Sequence, residues 1–272
     1  MKKIKLSIVC LLLALSAIVF TACSNTTGKD GENLIRLGIN GDESEVWTYI
    51  KEELAKEDIN LEIISFSDYT RPNLALSEGE IDINSFQHYA FFNKFIEEHN
   101  LDLTPIGETV IAPIGLYSSK IKDVKELKAG DKIAIPNDAT NGGRTLILLQ
   151  TAGLIKVDPT AGSLPTLKDI IDNPLELEII EVDASTTPRT LDDVKVAAIN
   201  SQFAVDAGFF PSKDAIFLEP IDENSKPYIN IIAARTEDKD NPIYKKVVEI
   251  YQTDEVKEII DRIYKGSQVI AW

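Results

Sequence analysis

A cluster of rings, one guanidinium and several asparagines in this sequence have types and placements that suit the capture of a small charged molecule. Phe86, His88 and Phe91 stand in the ring-rich stretch INSFQHYAFF, residues 83–92, together with Tyr89 and Phe92. Tyr69 precedes it in SDYTRPN. In IAIPNDATNGGR an apolar run reads into Asn137 and Asp138, then a turn containing Gly142 and Gly143, then Arg144 at the start of a helix. VAAIN ends on Asn200, and YIN places Asn230 in an apolar stretch. A guanidinium offers a forked donor to a carboxylate. Amide oxygens accept from an ammonium, and rings surround an apolar tail. The set fits a zwitterion with an apolar side chain. A thioether tail is favoured, because sulfur gains about 0.3–1.5 kcal/mol on each ring contact. The plainer alternatives are core packing for the rings, a solvated helix face for Arg144 and turn capping for the asparagines. Tyr89 and Phe91 cannot share a helix face, so about half of the rings are expected to be core.

Catalytic chemistry has little support. The chain carries no G-x-S-x-G and no H-E-x-x-H. His88 and His99 do not have zinc-ligand spacing. An extracytoplasmic enzyme is the weaker reading, and no cofactor is expected. The formal charge of −16 repels phosphate backbones and argues against nucleic acid.

These residues need elements to carry them. Strands are read at 34–40, 61–66, 81–86, 132–137, 175–182 and 194–200, from short apolar runs. Helices are read at 43–56, where Val46, Ile50 and Leu54 recur every four residues, near Arg71-Pro72, and at 88–98, 143–154 and 242–265. LKDII and TPRTLDD are read as short helices, and SQFAVDAG as another. Strands alternating with helices imply α/β units with mostly parallel pairing. Two such runs meet near residue 112. The extended stretches 109–119 and 214–236 lack a helix and are candidates for chain crossings between two lobes. Ligands of open α/β sheets lie at strand carboxyl ends, so facing lobes would share a cleft.

The amino terminus is expected to lie outside the fold. MKKIK, an apolar LSIVCLLLALSAIVF and then TACS read as a secretory signal too short to span a bilayer. FTAC resembles a lipobox, with Phe20 where Leu is usual. Cleavage after residue 22 would leave Cys23 as the lipidated first residue and the sole cysteine. The polar SNTTGKDGEN that follows reads as a tether.

The chain resembles the NlpA/MetQ family of methionine-binding lipoproteins, the substrate-binding components of ABC importers. The resemblance rests on DYTRPNLALSEGEIDINSFQH, IAPIGLYSSKIKDVKELKAGDKIAIPNDATNGGRTLILLQTAGLI, DIIDNPLELEIIE, VAAINSQFAVDAG, YINIIAAR and YQTDEVKEII…AW. It implies a two-lobed, type II periplasmic-binding-protein fold with two mixed sheets, flanking helices and an interlobe ligand cleft. The implied division is a signal peptide 1–22, a tether 23–33, one lobe from 34–112 plus 228–272, and the other from 113–227. Arg144 would take the ligand carboxylate. Asn200 and Asn230 would hold its backbone polar groups. Tyr69, Phe86 and His88 would flank the thioether, with Asn141 and Phe91 also in the site. Phe91 stands where the family often has Tyr, and Gly142-Gly143 replace bulkier residues. The implied partners are a methionine-like amino acid, an ABC permease with its ATPase, and the membrane through lipid on Cys23. A monomer on the extracytoplasmic face is expected. A receptor for another amino acid or a dipeptide, or an adhesive or signalling surface lipoprotein, stands as the alternative.

Overall fold

The apolar run LIRLGIN forms strand β1, Leu34–Asn40, and the stripe Val46, Ile50 and Leu54 forms helix α1, Glu45–Ala55, with all three buried. In this computed structural model the described residues are 33–272. The signal segment, Cys23 and the tether up to residue 32 lie outside them. Next come β2 Asn60–Phe66, α2 Arg71–Ser77, β3 Ile83–His88, α3 Tyr89–His99, β4 Leu103–Ile111 and β5 Gly115–Tyr117. The middle of the chain holds β6 Lys132–Pro136, α4 Ala139–Thr151, β7 Lys156–Val157, β8 Ile170–Asp172, β9 Glu178–Val182 and β10 Val196–Ile199. Then follow α5 Ser201–Asp206, α6 Pro211–Asp214, β11 Phe217–Leu218, β12 Ile229–Arg235, α7 Pro242–Tyr251, α8 Asp254–Tyr264 and β13 Val269–Ile270. Among the described residues no helix is long and apolar enough to cross a membrane.

Ile35–Trp272 forms one unit built on two sheets, the cores of two lobes. The first runs β13-β4-β12-β3-β1-β2 and the second β11-β5-β10-β6-β9. A small β7-β8 pair stands apart. Each central strand buries both faces, and its side chains alternate between them. In β12, Ile232 and Ala234 meet α1, α7 and α8, while Ile231 and Ala233 meet α2 and α3. In β10, Val196 and Ala198 join the α4 side, and Ala197 and Ile199 the α5 side. That is why both strands read as continuous apolar runs. Each fully buried Ile or Leu stabilises the fold by about 1.5–3 kcal/mol.

The sheets are mixed, as the resemblance implies, and not mostly parallel as the alternation alone suggests. β1 and β3 are parallel, as are β10, β6 and β9. β12 is antiparallel to both β3 and β4. The cause is the double crossing. The chain leaves the first sheet after β4, enters the second at β5, and returns after β11 to place β12 between β3 and β4. The two crossing segments touch, with Glu219 N–H donating to Ile114 O at 3.0 Å.

Local readings shift at several places. β3 runs through His88, two residues past the expected end. LKDII is one 3-10 turn followed by β8. The tail breaks where Thr253 caps α8. α4 begins at Ala139, four residues early, because Asp138 accepts from Asn141 N–H at 2.9 Å and caps it. Arg144 is therefore a turn inside the helix, not at its start. Gly142 and Gly143 make no turn. A Cβ on Gly142 would stand 2.9 Å from Pro136 O, and one on Gly143 3.1 Å from Leu164 Cα. The missing side chains let α4 lie against β6 and the 164–165 segment.

Candidate functional site

The end of β3 sets the first wall of the site. His88 is the residue where strand gives way to helix, and its Nδ1 accepts from Phe91 N–H at 3.1 Å. That bond fixes the tautomer, so Nε2 carries the proton. Nε2 donates to Asn141 Oδ1 at 3.3 Å. Asn141 is the hub between the lobes. Its Nδ2 donates to the Asp138 carboxylate at 3.1 and 3.0 Å, which orients its Oδ1 toward His88 and toward Asn200 Nδ2 at 2.9 Å. Asn200 Oδ1 is left buried with no hydrogen-bond partner among the described residues. A buried acceptor in that state costs about 1–3 kcal/mol until a donor arrives.

Arg144, 2% exposed, reaches across from α4. Its Nε donates to Glu219 Oε1 at 2.8 Å, and its Nη2 to Glu219 Oε2 and, at 3.0 Å, to Ala112 O. The Tyr228 ring lies over the guanidinium carbon at 4.1 Å and meets His88 edge-on at 5.4 Å. Among the described residues Nη1 has no hydrogen-bond partner.

The rings divide as helix geometry requires. Tyr69 packs on Phe86 at 5.9 Å, on Phe91 at 5.8 Å and, across the lobes, on Phe203 at 5.0 Å. Tyr89 turns away to donate to Glu108 at 2.9 Å, and Phe92 is core beside Leu76 and Leu103. Burial, with Asp138 nearby, pushes the Tyr69 phenol up, so it stays protonated. Asn230 lies opposite His88 in the β12–β3 pairing, and its Nδ2 donates to Val110 O at 3.1 Å.

Tyr69, Phe86, His88, Phe91, Asn141, Arg144, Asn200 and Asn230 all line one cavity of about 50 Å³, with Gln87, Ala112, Ser201 and Gln202. That exceeds the roughly 10–15 Å³ a cavity needs to admit a water, so the rings do not close on each other as packed core. Sequence reasoning missed Glu219, Tyr228 and Phe203. Glu219 ends the apolar AIFLE, so the strand-end signal that picked out Asn200 also applies to it, whereas Tyr228 precedes its strand and Phe203 lies within a helix. Among the described residues no cluster of His, Cys, Asp and Glu is arranged to hold a metal ion.

Burial, and the Arg144 guanidinium beside it, push the His88 imidazole from its ordinary 6.5 down to about 3. Between those values the unfolded chain binds the proton and the fold does not. Stability from this residue is thus full above about 6.5 and falls as the pH drops toward 3, by about 1.4 kcal/mol per unit. Urea denaturation at pH 7 and pH 5 should show a shallower loss in His88→Asn, whose amide keeps the cap. Equal losses in both proteins would exclude His88 as the source.

The NlpA lipoprotein family description matches residues 35–272. The D-methionine-binding lipoprotein MetQ of Salmonella typhimurium is 41% identical over 266 residues, 95% of this chain and 97% of that protein. A nutrient-binding protein from Burkholderia cenocepacia, solved bound to methionine, superposes with TM-score 0.83 at 44% identity, over 88% of this chain and 100% of that one. Protein PG110 from Staphylococcus aureus gives TM-score 0.85 at 43% identity, over 87% and 94%. With its family description matching residues 35–272 and a relative 41% identical over 95% of this chain, this chain belongs to the NlpA lipoprotein family.

Proposed function

We propose that the protein is a lipid-anchored, extracytoplasmic substrate-binding component of an ABC importer that captures methionine, or a close analogue, in the cavity between its lobes. One observation carries the reading. A single cavity joins a guanidinium with one unused nitrogen, a buried amide oxygen without a donor, and a wall of rings. The ligand carboxylate goes to Arg144 Nη1, its ammonium to Asn200 Oδ1, with Asn230 beside them. Its thioether lies among Tyr69, Phe86, His88 and Phe91. MetQ relatives and the methionine-bound Burkholderia protein support the same ligand.

The lobes divide at the crossings, as 34–112 plus 228–272 and 113–227. Ligand that contacts both lobes favours the closed form by its greater affinity for it. Lipid on Cys23 and the tether 23–33 hold the body at the membrane, where it hands methionine to a permease driven by its ATPase.

Titration calorimetry of the full chain should give a dissociation constant in the micromolar range or tighter for one methionine enantiomer. Norleucine, with a methylene for the sulfur, should bind several-fold more weakly, by the roughly 0.3–1.5 kcal/mol of each sulfur–ring contact. No heat with either enantiomer would refute the reading.

A further inference from the structure

The ligand-anchoring guanidinium is not a free cation. Glu219 takes its Nε and Nη2 in a two-point pair, and pairs of this kind fix orientation as well as charge. Glu219 is absent from the cavity lining; it sits behind Arg144. Its Oε2 also accepts from Ile114 N–H at 3.0 Å, while its own N–H donates to Ile114 O at 3.0 Å. Ala112 O, in the same crossing segment, accepts from Arg144 Nη2. One carboxylate therefore clamps both crossing segments and the arginine into a single hydrogen-bonded unit.

We propose that Glu219 is a positioning residue that sets how strictly the cavity demands a free carboxylate on its ligand. This rests on the reading that the carboxylate lies on Arg144. Two consequences follow from the pair. With Nε and Nη2 engaged, Nη1 is the nitrogen left for the ligand, so the carboxylate meets one nitrogen rather than a two-nitrogen fork. With the positive charge balanced by Glu219, the field at that donor is weak. The site then tolerates a neutral carboxamide in place of the carboxylate, and a bare guanidinium would not. Charge within a buried site acts in low dielectric, so this balance matters more here than at a surface.

The test compares methionine with methioninamide, of the enantiomer that binds, by calorimetry on the full chain. In the wild-type protein methioninamide should bind less than a hundredfold more weakly than methionine. In Glu219→Gln, which removes the charge and keeps the size, that ratio should rise at least tenfold. Glu219→Asp, which keeps the charge, should hold it near the wild-type value. A brace without an electrostatic role would weaken both ligands equally and leave the ratio unchanged, which overturns the proposal. A wild-type ratio above a thousandfold also overturns it, without need of any variant that folds. Failure of wild-type protein to bind methionine removes the parent reading along with this one, whereas an unmoved ratio with methionine bound removes this one alone.

Discussion

Arg144→Ala is expected to lower methionine affinity by at least 30-fold and to destabilise the apo protein as well. The first effect follows from deleting a buried, hydrogen-bonded charge that meets the ligand, a loss of about 2–5 kcal/mol. The second follows from what remains. Glu219 would keep its bond from Ile114 N–H but would lose its cation at a site where its side chain is only 14% exposed. Breaking one half of a buried ion pair costs about 3–5 kcal/mol. For a protein of this size that is a fall in melting temperature of roughly 6–20 °C. The two effects separate in the double variant Arg144→Met with Glu219→Leu. Replacing a whole buried pair by apolar groups of like volume is often neutral, but Ile114 N–H and Ala112 O lose their partners here, so the melting temperature should recover in part while methionine affinity stays low. Calorimetry with unchanged affinity in Arg144→Ala would take Arg144 out of the site.

Asn73→Ala is expected to be nearly as damaging, although Asn73 does not line the ligand cavity. Asn73 is fully buried at the centre of three amides. Its Nδ2 donates to Gln87 Oε1 at 2.7 Å, and its Oδ1 accepts from Gln87 Nε2 at 2.6 Å and Asn84 Nδ2 at 3.0 Å. The network pins α2, just after Tyr69, to β3, which carries Phe86 and His88. Alanine would leave Gln87 Oε1 in the interior without its donor, at about 1–3 kcal/mol, and remove two further hydrogen bonds worth about 0.5–1.5 kcal/mol each, while Gln87 Nε2 keeps Asn84 Oδ1 and Asn84 Nδ2 keeps Pro72 O. A loss of about 3–5 kcal/mol is expected, read as a melting-temperature fall of roughly 6–20 °C. Methionine affinity should fall too, since the aromatic wall loses the brace that sets its spacing. Thermal denaturation within 2 °C of wild type, a threshold set at about one kcal/mol, would show that the amides carry no such load.

Much of this is legible in the amino-acid sequence. The stripe in α1 has a helical period, and the burial of Val46, Ile50 and Leu54 follows from it. The Asp-containing turn before α4 was visible in the sequence, but the glycines after it were read as its continuation. Gly142 and Gly143 have no positive φ; they are small because Pro136 O and Leu164 lie against them. A contact with a segment some twenty residues away has no local signature. The same holds for Tyr89 and Phe92. Their sequence neighbourhood matches that of Phe91, yet one reaches Glu108 and the other enters the core.

By itself the sequence determined which groups were available: a guanidinium, several amides and a cluster of rings, placed at strand ends by periodicities that short stretches of chain enforce. It also determined the family, through a long ordered series of matching stretches. Only the tertiary structure decided how those groups are committed. Arg144 and Glu219 are 75 residues apart, and nothing near either one specifies the other. Their pairing exists because the chain crosses twice between the sheets and the crossings lie side by side. The same geometry brings Asn200 to Asn141 and leaves its oxygen without a donor. Hydrogen bonding and charge balance act over ångströms in space, not along the chain, so the strength and vacancy of each ligand contact appear only once the lobes are in place.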